Sequence, residues 1–410
     1  MSSSESRFDV RLHGRRVGTL YQRGDHTRLV LADDYVDDPG RPVLGLVFEQ
    51  NLTAVHAAAL RLPPWFSNLL QEGVQRRWIA TARHVSPDRE MELLAEVGHD
   101  LPGAVRVVAA DEQAPDLDWD TAPVPRLASQ AGDDYRRIKF SLAGVTLKFS
   151  MVATGERLTL PAYGEGGDWI VKLPDNEFPH VPQNEFAMMT LAGACGIEVP
   201  DVRLVHRDQI DGLPDRLWPN GEMWAYAVRR FDRDENRRLV HIEDLAQVRN
   251  FYPGAKYQGN FETVAALIYR RRDLPALQEF ARRLAFNILI SNGDAHLKNW
   301  SLIYRDPRVP TLAPAYDLVS TVPYMEREDL GLKFGGSRRF DRASLGTFRL
   351  LEQRIGVTSA GLVEQAAATA HLVRRRWPEV AQLLEADSKL QQAISTSIEQ
   401  RLRTLLISGD

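Results

Sequence analysis

The 410-residue chain has one cysteine, no apolar run long enough to cross a bilayer, no tandem repeat and no low-complexity tract. With Cys195 alone, an intrachain disulfide framework and a cysteine-rich zinc site are both excluded, and its setting in LAGACGI points to buried packing. The opening MSSSESRFDV lacks the basic start, apolar stretch and cleavage site of a secretory leader. A cytoplasmic location with no membrane partner is therefore expected. Charge of one sign is missing too: 51 Lys and Arg stand against 55 Asp and Glu, a formal net charge of -4. That balance argues against attraction of nucleic acid over the whole surface. The basic triplets at 270–272 and 374–376 read as solvated helix faces, with no zinc-finger spacing around them.

What is present suits a soluble protein of two or three structural units, with 44% hydrophobic and 26% charged residues. Residues 1–110 read as a mixed unit. A hairpin turns near Gly14, a short strand lies around Leu29 to Leu31, and Trp65, Leu69, Leu70, Val74 and Trp78 supply one helical face. Residues 111–134, rich in acids and prolines, read as an exposed connection. Residues 135–234 read as a small twisted sheet, with paired strands RRIKFSLAG and VTLKFSMVA, a strand at Trp169 to Leu173, a helix at 183–194, and strands VRLV and MWAYAVRRF. From 235 to 410 helices dominate. They are expected around 241–250, 259–272, 359–375 and 386–406, and along LPALQEFARRLAFNILISN, where Leu277, Phe280, Leu284 and Ile288 recur at helical offsets.

The segment SNGDAHLKNW places Asp294 and Asn299 five positions apart, the offset that sets a carboxylate near an acceptor hydroxyl and an amide oxygen near a magnesium ion in phosphoryl transfer. Asp317 in LAPAYDLVS offers a second metal-binding oxygen. Lys172 in WIVKL could neutralise nucleotide phosphates, and Glu185 on the following helix could hold it. Each has a plainer reading: Asp294 follows Gly293 at a helix end and could cap it, and Lys172 could be an exposed strand lysine. His296 reads as an orienting hydrogen-bond partner, and one histidine among hard oxygen donors disfavours zinc. SLAGVTLK has a single glycine and no Walker A pattern, and Ser141 within it could be a surface hydroxyl or a phosphorylation target.

In their order along the chain, FSNLLQEG, SLAGVTLKF, WIVKLP, QNEFAMMTLAG, RRFDR, VHIEDL, ISNGDAHLKNWSLIY and LAPAYDLVS resemble the HipA-like serine/threonine kinase family, the toxin component of bacterial type II toxin-antitoxin systems. The resemblance implies an α+β, two-lobed protein-kinase-like fold with an additional N-terminal mixed subdomain and a largely helical C-terminal lobe. It implies ATP and Mg2+ as cofactors. Asp294 then positions or deprotonates the acceptor, with His296 in the catalytic loop, and Asn299 and Asp317 hold the metal. Leu142, Ala143, Gly144, Val145, Thr146, Leu147 and Lys148 correspond to the phosphate-binding loop, Lys172 to the phosphate-binding lysine, and Arg230 and Phe231 to the adenine side. Ser141 matches the inhibitory autophosphorylation position. Arg229 departs from the family pattern, where glutamate is frequent. The implied partners are a protein substrate, such as an aminoacyl-tRNA synthetase, and a helix-turn-helix antitoxin through which DNA is reached indirectly. Two other classes remain open: a small-molecule phosphotransferase, and an inactive co-repressor acting through the antitoxin.

Overall fold

Alternating apolar residues on either side of Gly14, which turns at φ 83°, fold the start of the chain into an antiparallel hairpin. In a computed structural model, residues 5–110, 117, 119, 146–162, 165–219, 221–325 and 329–406 are described. The hairpin strands β1 (Glu5–Leu12) and β2 (Arg15–Arg23) join β3 (His26–Leu31), β4 (His56–Ala59) and β5 (Val105–Ala109) in a sheet ordered β4-β3-β2-β1-β5. Five short helices cover it: α1 (Asp33–Val36), α2 (Leu46–Glu49), α3 (Pro64–Ser67), α4 (Gly73–Arg83) and α5 (Glu90–Val97). Together they enclose a separate core that includes Val10, Leu20, Phe48, Trp65 and Phe66.

The second sheet contains β6 (Lys148–Thr154), β7 (Arg157–Thr159), β8 (Trp169–Lys172), β9 (Val202–His206), β10 (Ile210–Asp211) and β11 (Trp224–Arg229), ordered β10-β7-β6-β8-β11-β9. Helix α6 (Val181–Ala194) packs against β9 and β11. Beyond it a three-stranded sheet, β12 (His241–Asp244), β13 (Ser301–Tyr304) and β14 (Thr311–Leu312), sits among helices α7 (Leu245–Val248), α8 (Phe261–Tyr269), α9 (Leu274–Leu289), α10 (Leu345–Ile355), α11 (Leu362–Val380) and α12 (Ser388–Leu406). The Asp273 side chain caps α9 by accepting from the Ala276 amide, and Leu277, Phe280, Leu284 and Ile288 are all buried, so this helix forms the axis of the largest core. Among the described residues no helix is long and apolar enough to cross a membrane.

Two expectations need correction, and one element was missed. The face drawn through residues 64–78 is split between α3 and α4, because Gly73 adopts φ 57° and starts a new helix; Val74 and Trp78 are left exposed. Residues 241–244 are a strand paired with β13, not helix, and only Leu245–Val248 turns helical behind the Asp244–Gln247 capping box. Helix α10 was not anticipated. The RRIKFSLAG strand and nearly all of the 111–134 connection lie outside the described residues.

The first unit docks on the rest of the chain through buried polar contacts. The Glu243 carboxylate, on β12, accepts from the Leu46 amide at 3.0 Å, from Trp65 Nε1 at 3.2 Å and from the Tyr304 hydroxyl. Space is tight here: a Cβ on Gly45 would stand 2.4 Å from Trp65 Nε1. Nearby, Arg230 and Arg233 are both paired with Asp100 and Asp232, which ties the first unit to the end of β11. Burial pushes the Glu243 carboxyl from 4.5 up to about 7. A carboxyl raised in the folded state favours folding below its unfolded pKa, and the benefit is lost as pH rises through the folded value. Glu243→Gln should therefore gain stability relative to the parent between pH 5 and 8, by up to about 3 kcal/mol. Urea titrations across that range check it, and a pH-independent difference would refute it.

Candidate functional site

Strand register creates the site. Lys148 on β6 and Tyr226 on β11 both lie directly opposite Lys172 on β8, so the three side chains share one face of the sheet. Two lysines side by side repel, and the opposing charge arrives from two distant segments. Glu185 on α6 binds Lys172 Nζ at 2.5 Å, and Asp317, in the loop after β14, accepts from the same ammonium. Burial works to lower the Lys172 pKa, but Asp317 and Glu185 outweigh it and hold the amine charged. For Lys148 the strongest influence is Asp317, which raises its pKa; burial and Lys172 together prevail and leave it below the usual lysine range. Burial would raise the Asp317 carboxyl, yet Lys148 and Lys172 keep it well below the usual carboxylate range.

The Asp317 loop is held by amides. Asn184, the residue before Glu185 on α6, donates to the Ser320 carbonyl at 2.8 Å and accepts from the Ser320 amide at 3.1 Å. Asp317 itself has φ 54°, a left-handed conformation that is uncommon without glycine and is sustained only by surrounding contacts. Asn292 supplies one of those contacts by donating to the Asp317 carbonyl at 3.3 Å. It also donates to Asn287 Oδ1 at 2.8 Å and accepts from the Asp294 amide at 3.0 Å. The loop carrying Asp294 and the loop carrying Asp317 are thus fixed to each other and to α9.

Within the Asp294 loop, the His296 amide donates to the Asp294 carbonyl at 2.7 Å and the Asn299 amide to the His296 carbonyl at 3.0 Å. Asn299 Nδ2 donates to the Asp294 carbonyl at 3.3 Å, leaving its oxygen for another partner. The Asp294 carboxylate is buried and accepts from the Tyr257 hydroxyl. The His296 ring is also buried, edge-on to Tyr257 at 5.0 Å, and burial pulls its pKa from 6.5 to about 4. Neither ring nitrogen has a hydrogen-bond partner among the described residues. The expected orienting hydrogen bond from this ring is therefore absent there, and His296 organises the loop through its backbone.

These groups surround a cavity of about 380 Å³ between the second sheet and the helical part of the chain. Its wall includes Thr146, Lys148, Lys172, Glu185, Arg230, Phe231, His296, Asn299 and Asp317, so most of the expected residues come together. Leu147 and Asp294 are described but are not part of the wall; Asp294 reaches it through its carbonyl contact with Asn299. Ser141, Leu142, Ala143, Gly144 and Val145 lie outside the described residues. The Arg230 guanidinium is taken up by Asp232 and Asp100, so on that side Phe231, stacked at a tilt on Tyr316 with centroids 5.5 Å apart, is the surface open to a planar ring. Arg229 also lines the cavity, and its guanidinium pairs with Asp201 at 3.4 Å. Cys195 is buried and its thiol is pushed up to about 12 by burial, as expected of a packing residue.

Sequence reasoning missed Asn184, Asn292, Tyr257 and a group from the first unit, Glu72, whose carboxylate pairs with Lys256 and Lys298 at the cavity wall.

The sheet carrying a buried lysine clamped by a helix glutamate, with the helical part of the chain facing it across the cavity, has the two-lobed α+β fold of the protein-kinase-like class. Residues 8–108 match the HipA N-terminal domain and residues 140–393 the HipA-like C-terminal domain, so the chain belongs to the HipA-like family. It is 40% identical over 403 residues to Y4dM of Sinorhizobium fredii, a protein named only as a candidate kinase, with 95% of each chain covered. It is 27% identical over 315 residues to the serine/threonine-protein kinase toxin HipA of Shewanella oneidensis, covering 69% of this chain and 68% of that one. Its fold is shared with a solved Shewanella oneidensis structure of HipA with HipB and operator DNA, at a TM-score of 0.76 and 20% identity over 97% of both chains.

Asn292→Ala removes one buried and one partly buried donor bond and a buried acceptor that join the two loops to α9. It should cost about 1–3 kcal/mol of stability. Denaturant unfolding checks this, and a loss under 0.5 kcal/mol would show that the loops do not depend on Asn292.

Proposed function

We propose that this chain is an ATP- and Mg2+-dependent serine/threonine protein kinase of the HipA toxin type. The observation that carries the reading is the Lys172 ammonium held between Glu185 and Asp317, in a cavity that also receives Asn299. On this reading Lys172 and Lys148, which line the cavity, bind the phosphates of a nucleotide, and Phe231 and Tyr316 flank its base. The donor chemistry fits magnesium, since the free oxygen of Asn299 and the carboxylate of Asp317 are hard oxygen donors. Among the described residues no three His, Cys, Asp or Glu side chains form a metal cluster, so such an ion would take its remaining ligands from phosphate and water. When bound it would neutralise phosphate charge.

The chain's own groups then divide the work. The Tyr257 hydroxyl holds the Asp294 carboxylate in one orientation, and an acceptor hydroxyl replacing that bond would direct its proton to Asp294. Lys172 compensates charge on the transferred phosphoryl group, and the buried, neutral His296 ring excludes water beside it. The acceptor is a serine or threonine of another protein, in the family's manner a translation component such as an aminoacyl-tRNA synthetase. The same reading takes Ser141 as an autophosphorylation position, and a helix-turn-helix antitoxin as the partner through which DNA is reached. The solved complex with HipB and operator DNA supports that last step by relationship.

Phosphosite mass spectrometry after incubation of the chain with Mg–ATP and cellular protein tests the proposal. Polypeptide phosphorylation should fall on the order of a hundred-fold or more in Asp317→Ala and in Asp294→Ala. Undiminished phosphorylation in either variant, or phosphate found only on a small molecule, would overturn it.

A further inference from the structure

We infer that Glu72, on the N-terminal unit, is a positioning residue of the phosphoryl-transfer site, acting through Lys298; this rests on the kinase reading. Glu72 occupies the N-cap position of α4, where an acidic side chain ordinarily bonds the first free amides of its own helix. It makes no such bond. Its carboxylate instead crosses to the helical part of the chain, with Oε2 2.7 Å from Lys256 Nζ and Oε1 2.9 Å from Lys298 Nζ. The Asn68 carbonyl, on the same loop, accepts from Lys298 at 3.1 Å, and Asn68 Nδ2 donates to the Phe251 carbonyl at 2.6 Å. The loop between α3 and α4 is therefore moored at both ends to the segments that carry the site.

Lys298 is the chain neighbour of Asn299, in the short turn Leu297–Asn299, so the position of its side chain and that of the Asn299 amide are set together. Among the described residues the cavity wall carries four lysines, Lys148, Lys172, Lys256 and Lys298. Asp317 answers the first pair and Glu72 the second. Burial opposes the ionised Glu72, but Lys298 and Lys256 hold its carboxyl well below the usual range, so it stays charged in the cavity. Losing that charge has two opposite effects. It loosens Lys298 and the Asn299 turn, and it leaves Lys256 without the Glu72 carboxylate and Lys298 with Asp244 as its remaining acidic neighbour, beside the place where nucleotide phosphates would sit. Turnover falls while attraction for polyanions grows, a combination that a merely structural contact does not produce.

The test uses the full chain with Glu72→Gln, Glu72→Asp, Lys298→Ala and the double variant Glu72→Gln/Lys298→Ala, each checked for thermal midpoint. Expected for Glu72→Gln is a fall in kcat of about ten-fold or more with no rise in KM for Mg–ATP, partial recovery in Glu72→Asp, and no further loss on adding Lys298→Ala. Parental kcat in Glu72→Gln, a KM that rises as the thermal midpoint falls, or fully additive losses in the double variant would overturn the inference. Should the parent transfer no phosphate at all, the kinase reading fails, and Glu72 is judged on the β,γ-imido analogue of ATP alone. Glu72→Gln should then bind it about three-fold or more tighter, and equal or weaker binding defeats the inference separately.

Discussion

The ammonium of Lys172 is the point on which the molecule's working geometry depends. It lies in a buried position that is hostile to charge, and is tolerated because two carboxylates from different parts of the chain meet it. Burial of Glu185 works against its charge, which Lys172 supports, while Asp317 keeps part of its surface exposed and is answered by Lys148 as well. The meeting of the three sets the distance between β8, α6 and the loop after β14. Lys148, drawn into the same row by strand register, adds a second positive charge that Asp317 must answer. The result is a cavity whose polarity is fixed before any ligand arrives, the condition under which electrostatic catalysis costs least reorganisation.

The N-terminal unit belongs to this arrangement through charge as well as packing. Arg230 and Arg233 leave the end of β11 to meet Asp100, Glu243 receives donors from α2 and α3, and Glu72 crosses to the Asp294 loop. All three are polar contacts between segments more than a hundred residues apart, in positions where water is scarce. Apolar packing alone would let the units slide, whereas buried hydrogen-bonded charges accept few relative placements. That the family's N- and C-terminal models both match one chain fits a site built from both.

How much of this could be read from the sequence follows from how far each residue's role is local. Asp294 and Asn299 share a turn, so their spacing carries their relation, and Lys172 and Glu185 lie on a strand and the next helix, a separation that a βα reading can bridge. Asn184 and Asn292 do their work across 136 and 25 positions, and Glu72 across 184, where nothing in local composition marks a partner. The same limit explains the misread elements. Residues 241–244 run straight into the helical Leu245–Val248 in sequence and become a strand because β13 is available to pair. The face at 64–78 kept its helical period in sequence while Gly73 reset the backbone.

The distances along the chain also impose an order in time. Glu72, Lys172, Lys298 and Asp317 leave the ribosome in that sequence, and the last of them supplies a carboxylate that answers the charges of Lys172 and Lys148. Until roughly three quarters of the protein has been synthesised, the first sheet can fold on its own core while the lysine row of the second has no Asp317 to meet. A nascent chain that ends before Asp317 therefore carries no assembled cavity, and whatever the cavity binds is captured only when synthesis is well advanced.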